Sequence, residues 1–397
     1  MSIEEHIEKF KEIQAVILEF LENETNSDEN FSNLKNIIDE QKICANKQEF
    51  ILFLHLISSI SKNHFRGPAF ISKIEKVLDN YATDIKQNLT NSEIFDIFKG
   101  SKRVLLSLFE KRLIYMDKKI FKTITSEKYE NFKYPQYFLP EIQSFINNEC
   151  TCEYKQKLLY RCTDEWINEI EKEMPEDFYK LRKEGENKNY ICELIRKDLV
   201  KEFIIYENRL NYSLESAIIP SIYETHPFLI HMQNCCKLTI IKYAAFFGSI
   251  QILKYLQMKG VALTSDLWLY SIHGNNADII HLLEENNIIP KKYYTCSDSD
   301  FEYIYERYLN EADKCFKESI KCHHNDIANY LLDNYIKYFT SNIYRDCFKS
   351  YNFEFIMNEF ISESVFIYLV QYDYYLLIEL LLTNEDIIGS QIFKSYD

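Results

Sequence analysis

The stretch from Thr239 to Leu263, TIIKYAAFFGSIQILKYLQMKGVAL, decides the fold class. It holds two small residues, Ala244 and Ala245, then a bend at Gly248, and then two apolar pairs spaced along one helix face. The small side chains let a first helix approach its neighbour closely, and Gly248 permits the left-handed turn into a second, antiparallel helix. The stretch therefore predicts a helix pair.

Two later stretches repeat this pattern. Ser271 to Asn287 reads SIHGNNADIIHLLEENN, and Ser319 to Asn334 reads SIKCHHNDIANYLLDN. One apolar position of the second helix aligns the copies, at Ile252, Ile279, Ile327 and, in a fainter copy, Leu377. A single helix pair cannot cover its own apolar face, so neighbouring pairs must stack. We therefore predict an all-α fold, with an α-solenoid of helix pairs whose clearest copies lie at about 239–263, 267–287, 315–334 and 365–383.

Turn-forming residues are rare in the whole chain, which extends the helical prediction to the N-terminal half. With Gly 7 and Pro 7 in 397 residues, the sequence has few of the tight turns that many-stranded β folds need. Apolar residues three or four apart run from Ile3 to Leu21, which is the spacing of an amphipathic helix. We predict a helical N-terminal region at residues 1–149 and a repeat domain at residues 150–397.

Charge and cysteine content limit the partners and the compartment. A net charge of −15 makes nucleic acid an unfavourable partner. One segment, Lys99 to Lys122, carries eight basic residues against Glu110 and Asp117, and it supports an alternative function in nucleic-acid or anionic-lipid binding. Eleven cysteines and an N-terminus without a signal-peptide core predict free thiols in the cytoplasm. No stretch predicts a transmembrane segment.

Four residues form the best candidate metal site in the sequence: Cys315, Cys322, His323 and His324. Zinc takes cysteine and histidine ligands, but the spacing of these four matches no paired-ligand zinc motif. We therefore expect structural roles for them and no metal. No Gly-x-Ser-x-Gly motif and no phosphate-binding glycine loop occurs, so we also expect no catalytic residue, no cofactor and no small-molecule substrate.

The candidate partner-binding residues follow the two alanines of the first copy. Phe246 and Phe247 stand where the first helix of a repeat faces solvent on the inner surface, and exposed aromatic residues there favour partner binding. The equivalent positions of the next copies hold His273 and Lys321. These four residues are the predicted binding patch, with the alternative that irregular repeats turn Phe246 or Phe247 into the core. The predicted function is a non-enzymatic scaffold that binds a protein partner through a concave surface.

A family resemblance supports the same fold. Thr239-Ile240-Ile241-Lys242 stands at the Thr-Pro-Leu-His position of an ankyrin repeat, and Ala244-Ala245 stands at its paired alanines. The chain resembles a family of degenerate ankyrin-repeat proteins that is expanded in flagellate, trichomonad-type protists and carries a conserved domain of unknown function. The segments that carry the resemblance are Asn63–Pro68, Asn91–Phe95, Tyr134–Ile142, Arg182–Asn187, Ala244–Ser249, Trp268–Gly274 and Lys321–Asp326. The resemblance implies ankyrin-type helical repeats and implies no activity or cofactor.

Overall fold

The described part of the chain is all-α, as predicted. The computed structural model describes residues 3–23, 27–64, 67, 69–130, 132–149, 177–235, 237–290, 311–336, 341–356 and 363–383. Within these ranges the regular structure is helical, and strand-like pairing is limited to an isolated antiparallel bridge between Ala217 and Thr239. The scarcity of glycine and proline is therefore matched by the absence of β-hairpins in the described ranges.

The helices are short and follow one another closely. In the N-terminal half they are α1 (Ile3–Glu22), α2 (Ser27–Glu40), a 3₁₀ turn (Ile43–Ala45), α3 (Lys47–Asn63), α4 (Phe70–Asn80), α5 (Ala82–Asn88), α6 (Asn91–Phe98), α7 (Lys102–Glu110), α8 (Lys118–Ile124), α9 (Glu127–Glu130), α10 (Tyr134–Tyr137) and α11 (Leu139–Glu149). In the C-terminal half they are α12 (Phe178–Glu184), α13 (Tyr190–Arg196), α14 (Val200–Leu210), α15 (Pro227–Cys235), α16 (Ile240–Phe246), α17 (Ile250–Met258), α18 (Leu267–Gly274), α19 (Ala277–Glu285), α20 (Glu311–Cys322), α21 (Asn325–Tyr335), α22 (Ser341–Ser350), α23 (Glu363–Gln371) and α24 (Tyr375–Thr383).

The chain divides into two compact units. The first unit combines Met1–Ile74 with Ala245–Asp397, and the second unit is Glu75–Ala244. The N-terminal helices α1 to α3 thus belong to the same unit as most of the predicted repeats. The predicted boundary between residues 149 and 150 falls where the described residues end, and it stays a prediction.

Four helix pairs share one register, at the positions aligned from the sequence. We name them pair A (α16–α17), pair B (α18–α19), pair C (α20–α21) and pair D (α23–α24). Each pair has one residue with positive φ between its helices, and these residues are Gly248 (69°), Asn275 (44°), His323 (58°) and Asp373 (63°). Each of them precedes the aligned apolar position by four residues. The aligned side chains of pairs A, B and D are buried, and that of Ile327 in pair C is half-buried.

A fifth pair of the same kind lies in the second unit. Helices α13 and α14 are joined at Asp198, whose φ is 47°, and Phe203 is buried one position after the aligned site. The aligned site itself holds Glu202, which is exposed. Because the sequence pattern relies on an apolar residue at this position, it does not detect this pair.

The N-terminal helices α1 and α3 contact the end of α22 and the residues that follow it in the first unit. Gln14 of α1 donates a hydrogen bond to Asn352 Oδ1 (3.0 Å) and accepts one from the backbone N–H of Phe353 (2.8 Å). Ser59 of α3 donates to the carbonyl of Ser350 (2.6 Å). The same Asn352 donates to the carbonyl of Ile320 (2.9 Å), so one buried amide joins α1 to pair C. These bonds satisfy backbone groups that helix ends leave unpaired.

Candidate functional site

The residues of the predicted binding patch occupy one repeated position. Phe246, His273 and Lys321 each lie two residues before the left-handed residue of their pair, so they form a row across pairs A, B and C. The row is an inter-pair contact rather than a free surface. The rings of Phe246 and His273 stack with centroids 5.0 Å apart and an interplanar angle of 30°.

The exposure expected for this patch is not observed. Phe246 is 5% exposed and His273 is 2% exposed, so both belong to the core of the first unit. Phe247 is half-buried and meets the Phe246 ring edge-on at 4.9 Å. The alternative weighed above for Phe246 is therefore the correct one. The physical reason is that His273 of the next pair provides a ring that covers it.

A backbone contact brings pairs A and B close enough for this stacking. A side chain at Gly274 would place its Cβ only 2.6 Å from the carbonyl oxygen of Ala245 and 2.9 Å from the nitrogen of Gly248. Only glycine fits between these backbone atoms. Asn276 then donates a hydrogen bond to the carbonyl of Gly248 (3.0 Å), which ties the turn of pair A to the start of α19.

Between pairs B and C the row continues through polar side chains. The Nε2 atom of His273 lies 2.8 Å from Glu318 Oε1, and the Lys321 ammonium donates to the same carboxylate oxygen at 2.7 Å. The Sγ atom of Cys322 lies 3.3 Å from His273 Nδ1 and 3.9 Å from His273 Nε2. We call His273, Glu318, Lys321 and Cys322 the inter-pair cluster. The side chain of Lys321 is 34% exposed and that of Glu318 is 14% exposed, so the cluster reaches the surface on their side.

The ionisation states of the cluster follow from burial and from the neighbouring charges. Burial lowers the pKa of His273, although Glu318 opposes this shift, so the imidazole stays neutral. Burial would raise the pKa of Glu318, but Lys321 and His273 hold it well below its usual range. Burial raises the pKa of the Cys322 thiol well above its usual value. The cluster therefore contains a carboxylate, an ammonium group, a neutral imidazole and a protonated thiol.

Three more buried histidines lie next to the cluster in the first unit. His64 Nδ1 lies 2.8 Å from the carbonyl oxygen of Cys322, and the ring centroids of His64 and His324 are 4.8 Å apart. Since a carbonyl oxygen only accepts, the His64 Nδ1 atom is the donor. Burial and the neighbouring His64 lower the pKa of His323 to about 3 and hold that of His324 well below its usual range. At neutral pH, His323 and His324 are therefore uncharged residues of the core.

The four candidate metal ligands named from the sequence do not come together as one group of ligands among the described residues. Among the described residues, one group of three potential ligands converges, and it consists of His273, Glu318 and Cys322, whose ligand atoms lie within 4.8 Å of one another. Of the four residues named from the sequence, only Cys322 belongs to it. Glu318 is not predicted from the sequence because zinc motifs are defined by cysteine and histidine residues close together in sequence. The sequence does contain one signal for it: Glu318 and Cys322 are four residues apart, which places them on the same face of a helix.

Several of the sequence segments named above contact each other. In the first unit, His64 of Asn63–Pro68 binds Cys322 of Lys321–Asp326, as described above. In the second unit, Arg182 forms a bidentate pair with Glu141 at 3.0 and 2.7 Å, and the hydroxyl of Tyr137 donates to the carbonyl of Arg182 at 2.6 Å. These segments therefore carry packing interactions within each unit.

The basic segment Lys99–Lys122 of the second unit is largely engaged by acidic or carbonyl partners. Lys102 is buried and donates to the carbonyl of Glu224 (2.8 Å). Ion pairs join four other basic residues to acids, and these pairs are Lys99–Asp96, Arg103–Glu75, Lys111–Asp79 and Lys119–Asp96. Five of the eight basic residues are thus held by intramolecular contacts.

Comparison with known proteins identified no matching protein-family model, no matching curated protein and no matching solved structure. None of the helices in the described ranges has both the length and the apolar character needed to cross a membrane. Cys150, Cys152 and Cys162, which the sequence suggests are ordinary thiols, lie outside the described residues.

Proposed function

We propose that this chain is a non-enzymatic scaffold that binds a protein partner through a concave surface of stacked, ankyrin-type helix pairs. The observation that supports this is the recurrence of one helix-pair unit in the same register in pairs A to D. Stacked pairs contact mainly their neighbours and extend a continuous surface, which suits recognition of another protein. The resemblance to degenerate ankyrin-repeat proteins points to the same function and belongs to this proposal.

The surface proposed for binding is the exposed side of the first helices. The buried residues Phe246 and His273 are excluded as direct contacts. Phe247 is half-buried at the end of α16, and Lys314 is exposed on α20. Lys321 remains a candidate because a third of its side chain is exposed, although it is paired with Glu318. Half-exposed aromatic residues and exposed cationic residues are the types that favour interface anchors.

Nucleic-acid or anionic-lipid binding through Lys99–Lys122 is less favoured. The net charge of −15 repels polyanions, and five of the eight basic residues already have partners within the second unit. Binding there would have to break ion pairs before it could release counterions from a phosphate backbone.

The test is affinity purification of the full-length chain with quantification of co-purifying proteins. Three forms are compared: wild type, the surface variant Phe247→Ser with Lys314→Glu, and the control Lys254→Glu. Lys254 is exposed on the second helix α17, so its variant changes charge on the opposite side of a pair. We expect one or more proteins to be retained by wild type and control and reduced roughly tenfold or more by the surface variant. Recovery that is equal in all three forms would contradict the proposed surface.

A further inference from the structure

Potential ligands of three chemical types converge in the inter-pair cluster. Nitrogen from His273, oxygen from Glu318 and sulfur from Cys322 all lie within 4.8 Å of one another, on α18 and α20 of two neighbouring pairs. We propose that these three residues bind one divalent transition-metal ion of the zinc class. Its three ligands are not among the residues of the proposed partner surface, although their neighbour Lys321 is, and the site departs from the expectation of no metal drawn from the sequence.

Helix geometry places the ligands correctly. Glu318 and Cys322 are four residues apart on α20, so their side chains project from one face of that helix. His273 lies in the last turn of α18 and faces them from pair B. A set of imidazole, thiolate and carboxylate favours zinc or cobalt over magnesium or calcium, which prefer all-oxygen ligands.

Two of the three distances between ligand atoms require only small adjustments, and the third, between Glu318 and Cys322, lies within 4.8 Å. In a tetrahedral zinc site with bonds of about 2.0–2.3 Å, ligand atoms lie roughly 3.4–3.6 Å apart. His273 Nε2 is 3.9 Å from Cys322 Sγ and 2.8 Å from Glu318 Oε1. Metal binding would thus draw the first pair together and open the second by roughly half an ångström each. With three protein ligands, a fourth coordination position is left for water or an external group.

A neighbouring backbone group orients one of the ligands, and the other side of the cluster reaches solvent. The backbone of Asn63 forms a hydrogen bond with the His273 ring, which is the kind of outer contact that orients a metal-binding imidazole. His273 and Cys322 are buried, whereas Glu318 and Lys321 lie on the side that reaches solvent. The Lys321 ammonium, 2.7 Å from Glu318 Oε1, competes with a metal ion for the carboxylate.

The protonation states of the three ligands determine how many protons are released when the ion binds. Glu318 is already ionised, His273 is neutral, and Cys322 enters as a thiol. The metal–sulfur bond forms as the S–H bond breaks, so one ion bound releases one proton to solvent. Affinity should therefore rise with pH, by roughly tenfold per unit while Cys322 is protonated.

The experiment is titration of chelator-treated, full-length protein with Co²⁺, followed by displacement with Zn²⁺. We expect one ion per chain, a thiolate-to-cobalt absorption band, and release of one proton measured by calorimetry in buffers of different ionisation enthalpy. Cys322→Ser should remove the band and weaken binding on the order of 100-fold. Cys315→Ala is the matched control, since Cys315 is another buried thiol on α20; it should bind as wild type does.

Lys321→Met is a second variant, which tests the proposed metal site if Cys322→Ser does not fold. Removal of the competing ammonium should strengthen Co²⁺ binding by roughly two- to fivefold, the strength of a partly exposed ion pair. A purely structural hydrogen-bond network predicts no stoichiometric binding in wild type or in Lys321→Met. That result would overturn the proposal, as would cobalt binding that is lost in Cys315→Ala and retained in Cys322→Ser.

Discussion

Different interactions hold together the two junctions between neighbouring pairs. The A–B junction lies between pairs A and B, and the B–C junction lies between pairs B and C. At the first, Gly274 brings the backbones of two turns into direct contact, and an aromatic ring covers the remaining space. At the second, the chain has Lys321 and Cys322 at the corresponding positions, and their polar side chains contact Glu318 and His273 at the junction. Buried polar groups need partners. The first junction therefore depends on shape, and the second depends on pairing of charges and hydrogen bonds.

The largest effect is expected from truncation of the ring at the A–B junction. Phe246→Ala should lower the free energy of unfolding by about 3–5 kcal/mol, because a buried ring is replaced by a cavity. Phe247→Ala is the matched control and should cost clearly less, since Phe247 is half-buried. Urea denaturation followed by circular dichroism measures both. Equal and small effects would mean that Phe246 is exposed in solution.

A change of one methyl group tests the backbone contact at the same junction. Gly274→Ala should cost about 3 kcal/mol, because the new Cβ would meet backbone atoms at 2.6 and 2.9 Å and neither can move independently of its helix. Gly67→Ala provides the control, since among the described residues no atom lies within 4 Å of its Cβ position, and it should change stability by less than about 0.5 kcal/mol. Similar melting of the two variants would show that pairs A and B do not touch at Gly274.

The B–C junction and its neighbouring histidines should make stability depend on pH. The folded-state pKa values of His273, His323 and His324 are lowered, so below pH about 6.5 the unfolded chain takes up protons that the folded chain does not. Stability therefore falls as the pH drops from about 6.5 towards about 3. Each such histidine contributes up to about 1.4 kcal/mol per pH unit.

His323→Asn tests this pH dependence without straining the backbone. His323 has a φ of 58°, and asparagine occupies the equivalent turn in pair B at Asn275. The variant should reduce the slope of unfolding free energy against pH by about 1.4 kcal/mol per unit between pH 5 and 6. An unaltered slope in His323→Asn would show that this histidine is protonated in the folded state.

The register of the repeats was predictable because helix periodicity is a local property. Ile252, Ile279 and Leu377 were aligned from spacing alone, and the structure buries all three. The pair formed by α13 and α14 was missed because Glu202 replaces the apolar residue on which that alignment depends. Local pattern therefore identifies a copy only where the aligned residue is apolar.

Contacts between distant segments could not be predicted in this way. The exposure of Phe246 depends on which residue of the next pair packs against it. That residue is His273, and the sequence alone does not show that the two rings meet. Glu318 joins His273 from 45 residues away, and Gln14 joins Asn352 from 338 residues away. Such contacts depend on the packing of whole helices, for which a single sequence has no periodic signal.

A double-mutant cycle between Phe246 and His273 measures directly whether these side chains hold adjacent helix pairs together. Phe246→Ala, His273→Ala and the double variant are compared with wild type by equilibrium unfolding at neutral pH. Stacked rings 5.0 Å apart should give a coupling free energy of about 0.5–1.5 kcal/mol. Effects that add within about 0.3 kcal/mol would contradict the packed row and would restore Phe246 as a surface residue available to a partner.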